Sequence, residues 1–159
     1  MSRSKVKVRT GVAADPKYNS TRVAKLINRT MHDGKKEAAR TQVYAALEIL
    51  ESQVGRPAVE VFEDVLRTVT PLMEVRSRRV GGAAYQVPMP VRGARGSSLA
   101  LRWLIENARK RPSSTYHTFG EKLAAEMIDA LKGEGGTIAK KIAVHKMADA
   151  NKAFAHFRW

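Results

Sequence analysis

From Ser20 onward the apolar positions recur with the period of an α-helix. Val23, Leu26, Ile27 and Met31 fall on one stripe behind a cap supplied by Asn19 or Ser20, and Gly34 is placed to end the helix in the left-handed conformation. A second helix is predicted from about Lys35 to Gln53, with Ala39, Val43, Ala46, Leu47 and Leu50 inward. Arg56-Pro57 opens a third, because proline at the first helical position has its φ preset and no N–H to leave orphaned. Its stripe is Val61, Phe62, Val65, Leu66 and Val69, and Pro71 closes it.

The period then changes from 3.6 to 2. Over 72–80 and 83–91, Val75, Tyr85, Val87, Met89 and Val91 alternate with Glu74, Arg76, Arg78 and Gln86 around the pair Gly81-Gly82, which predicts a β-hairpin. Matching Val75 to Val87 and Met73 to Met89 calls for a loop with an odd number of residues, Val80-Gly81-Gly82, and sets Arg76, Arg78 and Gln86 together on the opposite face. Pro88 and Pro90 cannot donate to a central ladder, so the second strand has a free edge and the pair is a ribbon rather than part of a larger sheet. A lone ribbon is marginal in water and must lean on helices or on a partner.

A fourth helix, capped by Ser97 or Ser98, is expected to run to Arg111 with Leu101, Leu104, Ile105 and Ala108 inward, and Pro112 ends it. Trp103 is assigned to the core, while Arg102 and Arg109, seven apart, share the outer face. A fifth helix, about 115–132, carries Phe119, Leu123, Met127, Ile128 and Leu131, and a sixth opens at Gly135-Gly136-Thr137 and runs to about Met147. The fold class is thus mainly α: a single domain over 1–159, six helices with a protruding two-stranded β-hairpin (72–91), a basic irregular N-terminal arm (1–18) and a C-terminal segment (148–159) with exposed aromatics.

Charge changes this picture from a scaffold to a binder. The chain has 29 Lys+Arg against 15 Asp+Glu, a net +14, and fold stability gains nothing from self-repulsion of that size. The charge is segregated: residues 1–36 carry +8, 37–75 carry −4, 76–112 carry +8 and 113–159 carry +2. Two cationic blocks around an acidic one point to a polyanionic partner, nucleic acid first. A chain of 159 residues buries enough surface to fold without disulfides, and it has no cysteine, which removes disulfide frameworks, thiol nucleophiles and Cys-based zinc sites. No apolar run approaches the ~18 residues of a membrane span and the first residues contain no signal-like apolar run, so a soluble, cytosolic protein with no membrane contact is expected.

Enzyme chemistry has little support. His32, His117, His145 and His156 stand singly, without ligand spacing, so no metal site is expected. The serines lack a G-x-S-x-G elbow, the glycine pairs do not form a phosphate-cradling loop, and Glu48, Glu51, Glu60, Glu63 and Asp64 read as a solvated outer face. Neither a catalytic residue nor a cofactor is assigned. Arginine is the better clue: it makes up eight of the nine basic residues in 76–112, and its planar fork matches phosphate bidentately and stacks on bases. The ribbon arginines Arg76, Arg78 and Arg79, flanked in sequence by Lys35-Lys36 and by Arg92 and Arg95, can enter a groove that a helix cannot. Tyr85, Phe154, Phe157 and Trp159 can stack on bases or pack internally. A ribbon plus a basic arm (Arg3, Lys5, Lys7, Arg9) suits folded RNA, while charge alone also admits a free-standing nucleoid protein or regulator.

The runs EVRSRRVGGAAYQVP (74–88), LRWLIENARKRP (101–112) and HKMADANKAFAHFRW (145–159), with GKKEAA (34–39) upstream, resemble the bacterial small-subunit ribosomal protein seven family over essentially the whole chain. The resemblance implies a structural, non-enzymatic protein, cytoplasmic and bound to the small ribosomal subunit. It implies direct binding to the head (3′ major) domain of small-subunit ribosomal RNA, nucleation of head assembly, and a place at the subunit interface near exit-site transfer RNA and messenger RNA. Small-subunit ribosomal proteins nine and eleven would be its neighbours. Carried onto this chain, the family's RNA contacts fall on Arg3, Lys5, Lys7, Arg9, Lys35, Lys36, Arg76, Arg78, Arg79, Arg92, Arg95, Arg102 and Arg109. Gly81, Gly82, Tyr85 and Trp159 are the positions expected near the exit-site RNA.

Overall fold

The computed structural model describes residues 11–158, so Arg3, Lys5, Lys7, Arg9 and Trp159 lie outside the described residues. The helices are α1 (Thr21–Thr30), α2 (Lys36–Val54), α3 (Ala58–Val69), α4 (Ala94–Lys110), α5 (Phe119–Leu131) and α6 (Gly135–Ala150), and a short 3-10 helix follows at Lys152–Phe157. Between α3 and α4 stand β1 (Met73–Val80) and β2 (Ala83–Pro90), paired antiparallel. The mainly α class with a projecting hairpin is as the periodicities predict. No helix among the described residues is long and apolar enough to cross a membrane.

Helix α5 is the hub, packing against α2, α3, α4 and α6. The predicted stripes meet there: Leu26, Ile27, Val43, Leu47, Leu50, Phe62, Val65, Leu104, Leu123 and Met127 belong to one buried cluster, and Trp103 is buried as expected. Each of the larger side chains contributes roughly 1.5–3 kcal/mol by leaving water. Gly120 lets α5 close on α2, since a Cβ there would lie 3.0 Å from the Gln42 carbonyl oxygen and 3.3 Å from the Ala45 Cβ. Its N–H donates to Gln42 Oε1 at 2.9 Å.

Several boundaries differ from expectation. Helix α1 ends at Thr30, and Gly34 (φ +74) instead shapes the turn into α2. Helix α4 starts at Ala94, ahead of Ser97 and Ser98: Gly93 (φ +53) reverses the chain, and buried Gly96 seats the first turn where a Cβ would come within 2.8 Å of Thr70 Cγ2. Helix α5 begins only at Phe119 because Thr118 caps it, accepting from Glu121 N–H at 3.2 Å while Glu121 Oε2 accepts from His117 N–H at 2.9 Å. The His117 and Thr118 bonds hold the Glu121 carboxyl below the usual range. Part of the predicted arm is also fixed: buried Asp15 accepts from Lys17 and Tyr18 N–H groups and from the Tyr44 hydroxyl at 2.9 Å, tying residues 15–18 to α2. Burial, with the Asp15 hydrogen bond after it, pushes the Tyr44 hydroxyl's pKa up.

The hairpin register differs from the one that valine matching predicts. Val80 pairs with Ala83 across a two-residue Gly81-Gly82 turn, so Val75 faces Pro88, Arg76 faces Val87 and Met73 faces Pro90. Both turn glycines have positive φ (58° and 89°), the pairing of a type I′ turn whose twist matches the strands. Turn geometry thus outweighs the match of valine to valine. The one-residue shift puts Arg76 and Arg78 on one face with Glu74, Tyr85 and Val87, and Gln86 on the other with Ser77 and Arg79. β1 and β2 pack against α6, β2 also against the 3-10 helix, and Val87 is fully buried. At the entrance to β1, the Leu72 N–H donates to His145 Nε2 on α6 at 3.2 Å. Gly81→Val forces a β-branched residue to positive φ, and we expect it to cost about 1–2 kcal/mol locally, read as faster hydrogen exchange of the hairpin amides with the helical amides unaffected.

One arginine of the second cationic block is structural. Arg111, just past α4, donates to Glu126 Oε2 (2.8 Å) and pairs with Asp129, and its guanidinium lies over the Tyr116 ring. Glu126, 2% exposed, also accepts from the Thr137 N–H (2.8 Å) and hydroxyl (2.6 Å), so a side chain of α5 caps α6. Burial alone would lower the Arg111 pKa; the hydrogen bonds that Arg111 donates to Asp129 and Glu126 outweigh it and raise it.

Candidate nucleic-acid interface

Three cationic regions can be built from the described residues. The first lies at the base of the hairpin, where a cleft of about 570 Å³ is lined by Glu74, Arg76, Met89, Pro90, Arg92, Arg95 and Arg158. Strand β1 supplies Glu74 and Arg76 from alternate positions on one face, the β2–α4 connection supplies Arg92, the first turn of α4 supplies Arg95, and the residue after the 3-10 helix supplies Arg158. Glu74 is buried; its Oε1 accepts from Arg76 Nε at 2.7 Å and its Oε2 from Arg95 Nε at 3.0 Å. The first turn of α4 contains no acidic residue and its N-terminus has no side-chain cap, so positive helix-end charge adds to the arginines.

The second region is the outer face of α4. Arg95, Arg102 and Arg109 recur every seventh residue, which spaces them by about 10 Å along nearly one line of the helix. All three are exposed. Arg109 also donates to the Thr30 carbonyl at 3.1 Å, satisfying one of the orphan oxygens at the end of α1.

The third region adjoins the far end of that stripe. Lys35 and Arg109 line one cleft of about 310 Å³ with Thr30, His32 and Phe119, and Lys35 and Lys36 sit at the N-terminus of α2, which has no side-chain cap. Two cations at the positive end of a helix dipole are unfavourable for the helix itself, which an anionic partner would reverse. On the α1 side, Arg29 donates to Ser98 Oγ at 2.5 Å, joining α1 to α4.

At the hairpin tip, Gly81, Gly82 and Arg79 are exposed, and Arg78 is partly buried. Tyr85 is engaged internally: its ring lies 5.2 Å from those of Phe154 and Phe157, so the C-terminal segment folds back on β2 instead of presenting free aromatics. Arg76, Arg92 and Arg95 therefore come together, Arg95, Arg102 and Arg109 form a line, and Lys35 meets Arg109. Among the described residues no group of three or more His, Asp or Glu is arranged to hold a metal ion.

Glu74 and Arg158 are the site residues that reasoning from sequence missed. Glu74 carries a signal after the fact: a carboxylate two residues before an arginine on one strand face, within a stretch that is otherwise cationic. Arg158 carries none, because its place at the cleft depends on the fold of the C-terminal segment.

A family model described as ribosomal protein S7p/S5e matches residues 1–152. The chain belongs to the ribosomal protein S7p/S5e family. Among its relatives is a small ribosomal subunit protein uS7 of Thermoanaerobacter sp. (strain X514), 54% identical over 151 residues that cover 95% of each chain. The uS7 of Helicobacter hepaticus (strain ATCC 51449 / 3B1) is 52% identical over 159 residues and 100% of each chain, and that of Acholeplasma laidlawii (strain PG-8A) is 47% identical over 152 residues, 96% of each. The family read from the ribbon and C-terminal runs is thus the family found, and the role that goes with it is structural and ribosomal.

Proposed function

We propose that this S7p/S5e family member is a single-domain structural constituent of the small ribosomal subunit, cytoplasmic and ribosome-bound, that binds the head domain of small-subunit ribosomal RNA directly and nucleates assembly of the head. Its hairpin tip faces the subunit interface near exit-site transfer RNA and messenger RNA, with small-subunit ribosomal proteins nine and eleven beside it. The contacts proposed are Arg76, Arg78, Arg79, Arg92, Arg95, Arg102, Arg109, Lys35 and Lys36, with Arg3, Lys5, Lys7 and Arg9 of the arm. Gly81, Gly82, Tyr85 and Trp159 are proposed near the exit-site RNA.

The observation that carries this reading is the arginine-lined cleft at the hairpin base, continuous through Arg95 with the α4 stripe. Arginines so spaced on rigid elements suit the phosphates of a folded RNA, whose shape, rather than its sequence alone, is what such a surface can follow. Footprinting of the isolated protein on a head-domain transcript should give discrete protections, and log affinity should fall with log salt by roughly 0.7–0.9 per phosphate contacted. Uniform weak protection would instead favour a free-standing nucleic-acid binder, as would failure of a tagged copy to sediment with small subunits.

A further inference from the structure

We propose that Glu74 is a positioning residue for RNA recognition, its buried carboxylate holding the guanidinium groups of Arg76 and Arg95 so that their remaining N–H groups meet a backbone phosphate together. The inference rests on the RNA-binding reading above. An acidic group here is otherwise unexpected: it subtracts one charge from a surface meant for a polyanion, and its burial carries a desolvation cost. Its geometry supplies the reason. Arg76 gives Nε and Nη2 to Oε1, while Arg95, 21 residues on, gives Nε to Oε2. A guanidinium has five N–H donors, so Arg76 keeps three and Arg95 four beyond these bonds.

The two arginine side chains are 51% and 42% exposed, whereas the Glu74 side chain is 8% exposed. The guanidiniums thus form a roof over the carboxylate, with donors available on the solvent side. Arg92 and Arg158 line the same cleft. Long arginine side chains lose rotamer freedom when they bind; pinned to Glu74 from a strand and a helix, this pair has lost it before the RNA arrives. The site is therefore prepared by a group that repels the ligand's charge, and that makes the sign of its removal informative.

The test is Glu74→Gln, which keeps the shape and raises the net charge from +14 to +15. Affinity for a head-domain transcript is expected to fall about tenfold in spite of the added positive charge, with the melting temperature measured alongside. In an Arg76→Gln/Arg95→Gln background, Glu74→Gln is expected to weaken binding no further. Equal or tighter binding by Glu74→Gln overturns the proposal, because the carboxylate would then act only through its charge. An undiminished loss in the double background overturns it too, because the effect would then be general to the hairpin's seat. Arg95→Lys provides a variant that keeps every charge but changes the fork; weakening of a few fold is expected, and unchanged affinity counts against the proposal. If the Arg76→Gln/Arg95→Gln protein itself binds as tightly as the unaltered chain, the RNA reading of this cleft fails rather than the role of Glu74.

Discussion

Arg111→Ala lowers the stability of the fold by about 3 kcal/mol, the lower end of what removing one partner of a buried ion pair costs. Glu126 would keep its two bonds from Thr137 but lose the only cation bonded to it among the described residues, in a site 2% exposed. Asp129 softens the loss because it is 35% exposed and can be hydrated. The effect spreads because the carboxylate ties together three elements: the end of α4 through Arg111, α5 that carries it, and the N-terminus of α6. Since α6 supports the hairpin, the hairpin should loosen with it. Calorimetry should show a melting temperature lower by roughly 6–12 °C. Arg111→Met with Glu126→Gln should recover part of the loss, because the neutral amide leaves no unpaired buried charge while its oxygen still accepts from the Thr137 N–H and hydroxyl. A change below about 1 kcal/mol for Arg111→Ala would mean that Glu126 is adequately held by Thr137 alone.

Replacing Arg76, Arg92 and Arg95 together by glutamine weakens binding to a head-domain transcript by on the order of 100- to 1,000-fold at physiological salt. Glutamine is chosen because its amide can still donate to the Glu74 carboxylate, so the cleft is not left with an unpartnered buried charge. Each arginine that meets a phosphate releases counterions on binding. With Arg76 and Arg95 on one phosphate and Arg92 on another, the slope of log affinity against log salt should therefore become shallower by about 1.4–1.8 in total. A titration at several salt concentrations measures both quantities. An unaltered slope with full affinity would remove this cleft from the RNA interface and leave the α4 stripe and the Lys35 region to carry it. The contrast with Arg111 is part of the expectation: one arginine of the same cationic block changes stability, while three others change affinity.

That contrast was not legible from the charge count. Arg111 contributes to the +8 of residues 76–112 in the same way as Arg92 does, yet its guanidinium is committed to Glu126 and Asp129, 15 and 18 residues away. Tyr85 is similar: an aromatic on a basic ribbon suits base stacking, but Phe154 and Phe157 take its ring. The hairpin itself was legible, because period-2 alternation around paired glycines is a local signal. Its register was not recovered from matching apolar partners, since Val87 is buried where β2 meets α6 and the 3-10 helix, without Val75 opposite.

What the chain determines by itself is whatever neighbours within about four residues can encode: helical stripes, caps such as Ser20 and Thr118, the left-handed glycines of the turns, and the segregation of charge. The family could be read there too, in the ribbon and C-terminal runs. Which cations face a ligand and which hold the fold was decided only in three dimensions. Ion pairs and hydrogen bonds depend on distance in space, so Glu74 finds Arg95 across a strand–helix junction, Asp15 finds Tyr44 at a separation of 29 residues and Arg109 finds Thr30 at 79. None of these pairings has a period, and each waits on the core that brings its elements together.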